Sequence, residues 1–355
     1  MAERERPAVI VTGSAGLIGK PVCQRLEQLG YEVFGLDRIA LPDWLQSHAH
    51  LHSIDCDVTD DASVQNAVRQ VRERAGERLA SVVHLAAYYD FSGEDSELYE
   101  QVTIEGTQRL LKTLRDLQIE TEQFLFTSTM LVHAPCDVGQ HIHEEDPLLA
   151  KWPYPASKIE TERLIRESQP SLRSVFLRIG GIYTDYGQQP TLVQQIKRIH
   201  EKDFQGHFFP GNTDAGQSAV HIDDAVDAIA RAVERRKAIE PQTAILVGEP
   251  DPPSYSELQD AIGQQMYGKE WVTLYVPKSV AKVGAAVSDK LSGGESFIKP
   301  FMISMADDHY ALDVGRAQKL LGWEPQHQLM DTMPTMVESL QKNPDEWYRR
   351  NGLER

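Results

Sequence analysis

Cysteine is scarce: the 355 residues hold three, Cys23, Cys56 and Cys136, with no Cys-x-x-Cys spacing among them. Such a set builds neither a disulfide framework nor a thiolate zinc site, and a reducing cytoplasm is the compartment it fits. Positive charge is short as well. With 36 lysines and arginines against 53 acidic residues, the formal net charge is -17, so nucleic acid and anionic membrane surfaces are repelled. No run of about 18 apolar residues is present to cross a bilayer. The opening Met-Ala-Glu-Arg-Glu-Arg-Pro has no apolar signal core, so no targeting segment is expected, and no internal repeat is seen. What remains, 41% hydrophobic and 25% charged, is the composition of an ordinary globular protein long enough for two domains.

The most informative stretch is Ala8 to Gly19, read Ala-Val-Ile-Val-Thr-Gly-Ser-Ala-Gly-Leu-Ile-Gly. Its apolar run suits a buried parallel strand. Gly13, Gly16 and Gly19 then recur every third residue, ahead of a helical pattern carrying Leu17, Ile18, Val22, Leu26 and Leu29. Strand, glycine turn and helix let backbone amides approach a pyrophosphate at the positive end of a helix dipole, so a dinucleotide is the expected ligand. Glu32 to Leu36 reads as a second strand with Asp37 at its end, placed to accept hydrogen bonds from the adenosine ribose. That acid favours NAD, while the adjacent Arg38 leaves NADP open.

Further strands are expected at His52 to Val58, Ala80 to Leu85, Phe124 to Phe126 running into Thr127-Ser128-Thr129, and Ser174 to Leu177. Thr59 or Asp60 is the expected cap of the helix carrying Val64, Ala67, Val68 and Val71, and Asp57 would lie at a strand end near the adenine. A helical pattern spans Glu97 to Leu117. The polar loop with His133, Cys136, Asp137, His141, His143, Glu144, Glu145 and Asp146 lacks the helical spacing of a zinc enzyme and reads as solvated, as do His48, His50 and His52. No metal is expected.

Tyr154 and Lys158 are four residues apart and share one helix face. A phenol with an ordinary pKa of about 10 must be shifted to serve as a general acid or base, and a neighbouring ammonium favours its ionised form. Gly13-x-x-Gly16-x-x-Gly19, Asp37, Asp57-Val58, Leu85-Ala86-Ala87, Thr127-Ser128-Thr129, Tyr154-x-x-x-Lys158 and His221-Ile222-Asp223-Asp224 follow in one order. Together they resemble the extended short-chain dehydrogenase/reductase superfamily, in its NAD-dependent epimerase/dehydratase branch, from Val9 to about Pro325.

The resemblance implies an α/β protein: a doubly wound parallel Rossmann-type sheet with a smaller, mostly C-terminal substrate domain. Residues 1–178 would form the dinucleotide-binding domain, with 218–248 returning to it. Residues 179–217 and 249–340 would form the substrate domain, and 341–355 a tail. It also implies that Gly13, Ala15, Gly16, Leu17, Ile18 and Gly19 hold the pyrophosphate side of NAD, Asp37 and Arg38 its ribose, and Asp57 and Val58 its adenine. Leu85, Ala86, Ala87, Thr127 and Ser128 would line the rest of the cofactor. Tyr154 would be the acid/base, Lys158 would lower its pKa and bind the nicotinamide ribose, and Thr129 would bond the reacting oxygen. Tyr88, Thr129, Met130 and Gly181 would touch the substrate. In relatives, the helix from Glu97 and the one near Tyr154 form a four-helix dimer interface, so a homodimer is implied.

Departures narrow the activity. Thr103 stands where that helix usually carries an asparagine, and Gly181 and Gln217 stand where sugar-nucleotide relatives have an asparagine and an arginine. A neutral glutamine does not replace an arginine on a diphosphate. Met130 and Leu131 replace the Asp-Glu pair of sugar 4,6-dehydratases, so dehydration is not expected. The expected activity is NAD(P)-dependent hydride transfer at a secondary alcohol or carbonyl of a small molecule. The alternatives are a nucleotide-sugar 4-epimerase and a catalytically silent NAD(P)-binding sensor or scaffold. In the remaining chain, helices are expected over Leu192 to His200, Asp223 to Val233, from the Ser254 capping box to Met266, and Lys278 to Leu291, with strands at Thr243 to Val247 and Trp271 to Val276. Ser292-Gly293-Gly294 reads as an exposed break, and Phe297, Phe301, Met302 and Met305 as cover for the core.

Overall fold

The computed structural model describes residues 6–168, 172–282 and 300–353. Apolar runs with few polar interruptions make strands that are buried on both faces, and seven of them align in parallel. They are β1 (Ala8–Thr12), β2 (Glu32–Asp37), β3 (Leu51–Asp55), β4 (Ser81–His84), β5 (Phe124–Thr129), β6 (Ser174–Ile179) and, after three short strands, β10 (Thr243–Val247). The short strands are β7 (Gly181–Tyr183), β8 (Phe208–Pro210) and β9 (Ala219–His221); β7 pairs in parallel with β9 beside the main sheet. The main order is β10-β6-β5-β4-β1-β2-β3, with all six pairings parallel. The winding reverses between β1 and β4, the kind of crevice where open α/β sheets take ligands.

Strand alternation sorts the side chains onto two layers. Val9, Val11, Val33, Val83 and Leu125 face α1 (Gly19–Gln28) and α6 (Ile222–Glu234), joined by Val22, Leu26, Ala228 and Ile229. Ile10, Phe34, Val82, Phe124 and Phe176 face the other layer. That layer is α2 (Asp61–Ala75), α3 (Glu105–Asp116) and α4 (Pro153–Ser168), through Val64, Val68, Leu111 and Ile165. A third cluster is separate from the sheet. It joins Ile196 of α5 (Pro190–Glu201), Ile262 of α7 (Tyr255–Tyr267) and Met333 and Met336 of α8 (Leu329–Lys342), with Trp271 and Trp347.

Several element ends differ from expectation for local reasons. β3 stops at Asp55, not Val58, because the Asp57 carboxylate accepts from Thr59 N–H and Thr59 Oγ1 and turns the chain. Asp60, not Thr59, caps α2 by accepting from Ser63 N–H. The helix expected from Glu97 contains a π-helical segment, Tyr99–Ile104, before α3 begins. β6 runs on to Ile179. Of Trp271 to Val276 only Leu274–Val276 is extended, because Trp271 turns inward and its Nε1–H donates to Gly206 O at 2.9 Å. Ser254 forms the expected capping box with Glu257. Lys278 does open a helix, but 283–299, including Ser292-Gly293-Gly294 and Phe297, lie outside the described residues.

Candidate active site

At the β1–α1 turn the three glycines have different tasks. Gly13 has φ +69°, and a Cβ there would meet Ala86 N at 2.9 Å, so only glycine brings this turn against β4. A Cβ on Gly19 would lie 2.1 Å from Gly13 O, which closes the turn to any side chain. Gly16 is exposed and its Cβ would meet only Gly13 O, at 3.2 Å. The space above Gly16 is open. Beside it, Ser14 Oγ is buried without a hydrogen-bond partner among the described residues. The Asp37 carboxylate accepts from Ala15 N–H at 3.0 Å and Ile39 N–H at 3.1 Å, which fixes the end of β2 to the turn. Arg38 is 73% exposed and lies 3.9 Å from Asp57. Val58 packs under Gly106 of α3. Open space above Gly16 and the amides of a starting helix together fit the diphosphate of a dinucleotide.

A histidine orders the β4 side of the crevice. Burial pushes the His84 pKa down to about 3, so the ring is neutral. Thr107 Oγ1 donates to Thr103 O at 2.6 Å and therefore accepts from His84 Nε2–H at 2.9 Å. That leaves His84 Nδ1 to accept from Thr12 Oγ1–H at 2.7 Å, and Thr12 Oγ1 to accept from Ala86 N–H at 3.2 Å. One chain of hydrogen bonds thus holds Ala86 against the glycine turn. Thr103 Oγ1 accepts from Tyr88 N–H at 3.0 Å, so its hydroxyl is spent on the loop after β4.

Thr129, at the end of β5, lies close enough to Tyr154 to favour the ionised phenol. Lys158 is 4% exposed, donates to Thr127 O at 2.9 Å, and sits 4.7 Å from the Phe126 ring and 5.8 Å from the Tyr154 ring. The three side chains expected to act together are therefore neighbours, one strand beyond β4. The expected fall in the phenol's pKa is absent in the chain alone. Burial raises Tyr154 above its ordinary value, the nearby Thr129 hydroxyl opposes this, and the ammonium is aimed at a carbonyl. Burial also pulls Lys158 down to about 7, against the pull of Glu162. Glu162 accepts two bonds from Arg178, at 3.1 and 2.7 Å, and Arg178 donates further to His133 Nε2 and Glu144 O.

Trp152 packs 5.4 Å from Tyr154, and Tyr89 meets that phenol edge-on at 4.9 Å. Beyond Trp152 lies a cavity of about 230 Å³ whose wall includes Leu131, Met302 and Met305. The expected core role of Met302 and Met305 is thus corrected: they face this space. Met130 is corrected the other way, being 3% exposed inside the core, while its neighbour Leu131 lines the cavity. Gly181 is not among the lining residues. The Gln189 side chain, which does line the cavity, fills the space a Cβ there would take. Tyr88 packs edge-on against Tyr99 at 4.9 Å.

The histidines of the polar loop disperse: His141 meets Asp251, His143 meets Asp313, and His133 meets Arg178. His48 meets Glu27, while His50 and His52 share Glu32. Among the described residues one group, His221, Asp223 and His327, brings possible metal ligands within 4.8 Å of one another. There His221 Nδ1 accepts from Asp223 N–H as the cap of α6, and the two rings stack at 4.2 Å. Sequence reasoning missed His84, Glu162, Trp152 and the approach of His327 to His221 and Asp223. The one local signal was the spacing of Glu162, one helical turn past Lys158.

The chain is 22% identical over 348 residues to the decarboxylating sterol-4-alpha-carboxylate 3-dehydrogenase of Candida albicans, covering 90% of this chain and 93% of that protein. A short-chain dehydrogenase/reductase of Talaromyces verruculosus is 33% identical over 82 residues, 23% of this chain and 32% of that one. The fold is similar to UDP-glucuronic acid 4-epimerase from Bacillus cereus, solved with UDP-glucuronic acid and NAD, at a TM-score of 0.71 and 19% identity, covering 94% and 99% of the two chains. UDP-glucose 4-epimerase of Thermus thermophilus, solved with NAD, gives 0.69 and 22% over 94% and 99%. The family model for the NAD dependent epimerase/dehydratase family matches residues 9–248, well over half of the sequence, and the chain belongs to that family.

Proposed function

We propose that this NAD-dependent enzyme interconverts a secondary alcohol and its ketone on a small molecule, with Tyr154 as acid/base. The single observation that carries this reading is the placing of Tyr154 beside Thr129 and buried Lys158, at the carboxyl edge of the sheet. Gly13, Gly16 and Gly19 would hold the diphosphate, Asp37 the adenosine ribose, and Leu85 to Ala87 with Ser128 the middle of the cofactor. Ser128 Oγ, buried without a partner among the described residues, supports that assignment. Bound there, NAD+ would supply the hydride acceptor, so that an alcohol and NAD+ would give a ketone, NADH and one proton.

The chain's own residues handle that proton. Thr129 and Tyr154 hydrogen-bond the reacting oxygen, and Tyr154 Oη accepts the hydroxyl proton as the carbonyl forms. Lys158 lies on the same helix face, and its ammonium stabilises the phenolate that Tyr154 must become. Trp152 and Tyr89 pack against the ring of that phenol. Removing the phenolic oxygen tests the assignment. Tyr154→Phe is expected to lower turnover about 100-fold or more while NADH affinity, followed by fluorescence titration, stays within about twofold. Full turnover in that variant overturns the reading. A silent sensor would instead bind NADH and turn nothing over in either form.

A further inference from the structure

The cavity beyond Trp152 has an apolar wall that continues to the reacting phenol. Phe91 meets Trp152 edge-on at 5.4 Å, and Trp152 lies 5.4 Å from Tyr154, so an aromatic surface leads from the cavity to the acid/base. Met302 and Met305 face this surface, and unbranched thioethers adapt to irregular apolar shapes. At the far end Phe209 stacks on Tyr255 at 3.7 Å, both lining the cavity.

Charge is almost balanced inside. The charged lining residues are Lys151, Arg198 and Asp308. Lys151 Nζ donates to both Asp308 oxygens, at 2.8 and 2.7 Å, which cancels that cation. Arg198 is largely desolvated, with the Asp203 carboxylate as its nearby counter-charge. A nucleoside diphosphate brings about two negative charges that need charge-assisted donors; with Lys151 paired, Arg198 alone remains to supply one, since the glutamines of the lining are neutral and its leucine, methionine and aromatic rings offer none.

We propose that this cavity takes a hydrophobic cyclic secondary alcohol or its ketone, with fused rings against Trp152 and Met302, and disfavours nucleotide-diphosphate sugars. The assignment names the substrate class of the alcohol–ketone reaction proposed above, and rests on it.

Calorimetric titration of the NADH-loaded enzyme tests it, with β-tetralone and trans-decalone as apolar ketones and UDP-glucose as the nucleotide sugar. Both ketones are expected to bind about tenfold or more tightly than UDP-glucose. Trp152→Ala and Met302→Gln are each expected to weaken ketone binding about tenfold and to leave NADH affinity unchanged. The second variant keeps the test valid if the first fails to fold. Tighter binding of UDP-glucose, no binding of either ketone, or ketone binding indifferent to Met302→Gln overturns the assignment. Ketone binding without Tyr154-dependent turnover overturns the reaction instead and leaves the cavity's chemistry standing. Tyr154-dependent epimerisation of UDP-glucose does the reverse.

Discussion

At Gly16 and Gly19 the same residue type serves opposite ends. Gly19 is required by the fold, because its Cβ would strike Gly13 O at 2.1 Å, whereas Gly16 leaves space that only a ligand fills. Gly19→Ala is therefore expected to lower the midpoint of thermal unfolding by several degrees or to abolish folding. Gly16→Ala is expected to shift it by less than about two degrees, since surface changes cost within about 0.5 kcal/mol. NADH affinity should fall at least about tenfold in the Gly16 variant; equal losses of stability in both would refute the distinction. The sequence made both glycines readable because a turn is encoded locally, as are Tyr154 and Lys158 on one helix face. His84 was not readable in this way. Its role comes from Thr12 and Thr107, 72 and 23 residues away, and nothing beside it in the chain announces them.

Among elements, α4 has the most to anchor. It carries Tyr154 and Lys158, and one turn further on Glu162 ties it to Arg178 of β6, with both side chains 4% exposed or less. Glu162→Gln leaves a guanidinium buried without its carboxylate and is expected to cost about 3 to 5 kcal/mol in urea unfolding. Glu162→Gln combined with Arg178→Met should recover most of that loss; an additive double variant would refute the pairing. Strands and helices were readable from alternation and helical periodicity, because those patterns report which face is buried. Their ends were less so. Asp57 ends β3 through a bond to Thr59, and the π-helical turn of Tyr99–Ile104 keeps a helical apolar pattern while changing its backbone bonds.

Across the whole molecule, Glu249 joins the edge of the sheet to the helical cluster. It is 5% exposed and accepts from Tyr183 Oη at 2.9 Å and from Leu329 N–H at the start of α8. Burial raises its pKa to about 7. A carboxyl with a raised folded pKa binds its proton more tightly when folded, so its contribution is full below about 4.5 and is lost as pH rises through about 7. The drop is of order 3 kcal/mol. Glu249→Gln is expected to flatten thermal stability between pH 5 and 8 by about this amount, and an unchanged slope would refute the burial of a charge there. Doubly wound architecture was readable from the order of apolar runs, but the cavity was not. Its wall is gathered from Phe91 to Leu329, so no window of sequence contains it. Translation meets that dispersal directly. The ribosome releases the glycine turn early and Leu329 near the end, so a nascent chain can collapse around its first strands long before the guest chamber has a far side. Stalled or truncated polypeptides short of Met302 lack one side of that cavity.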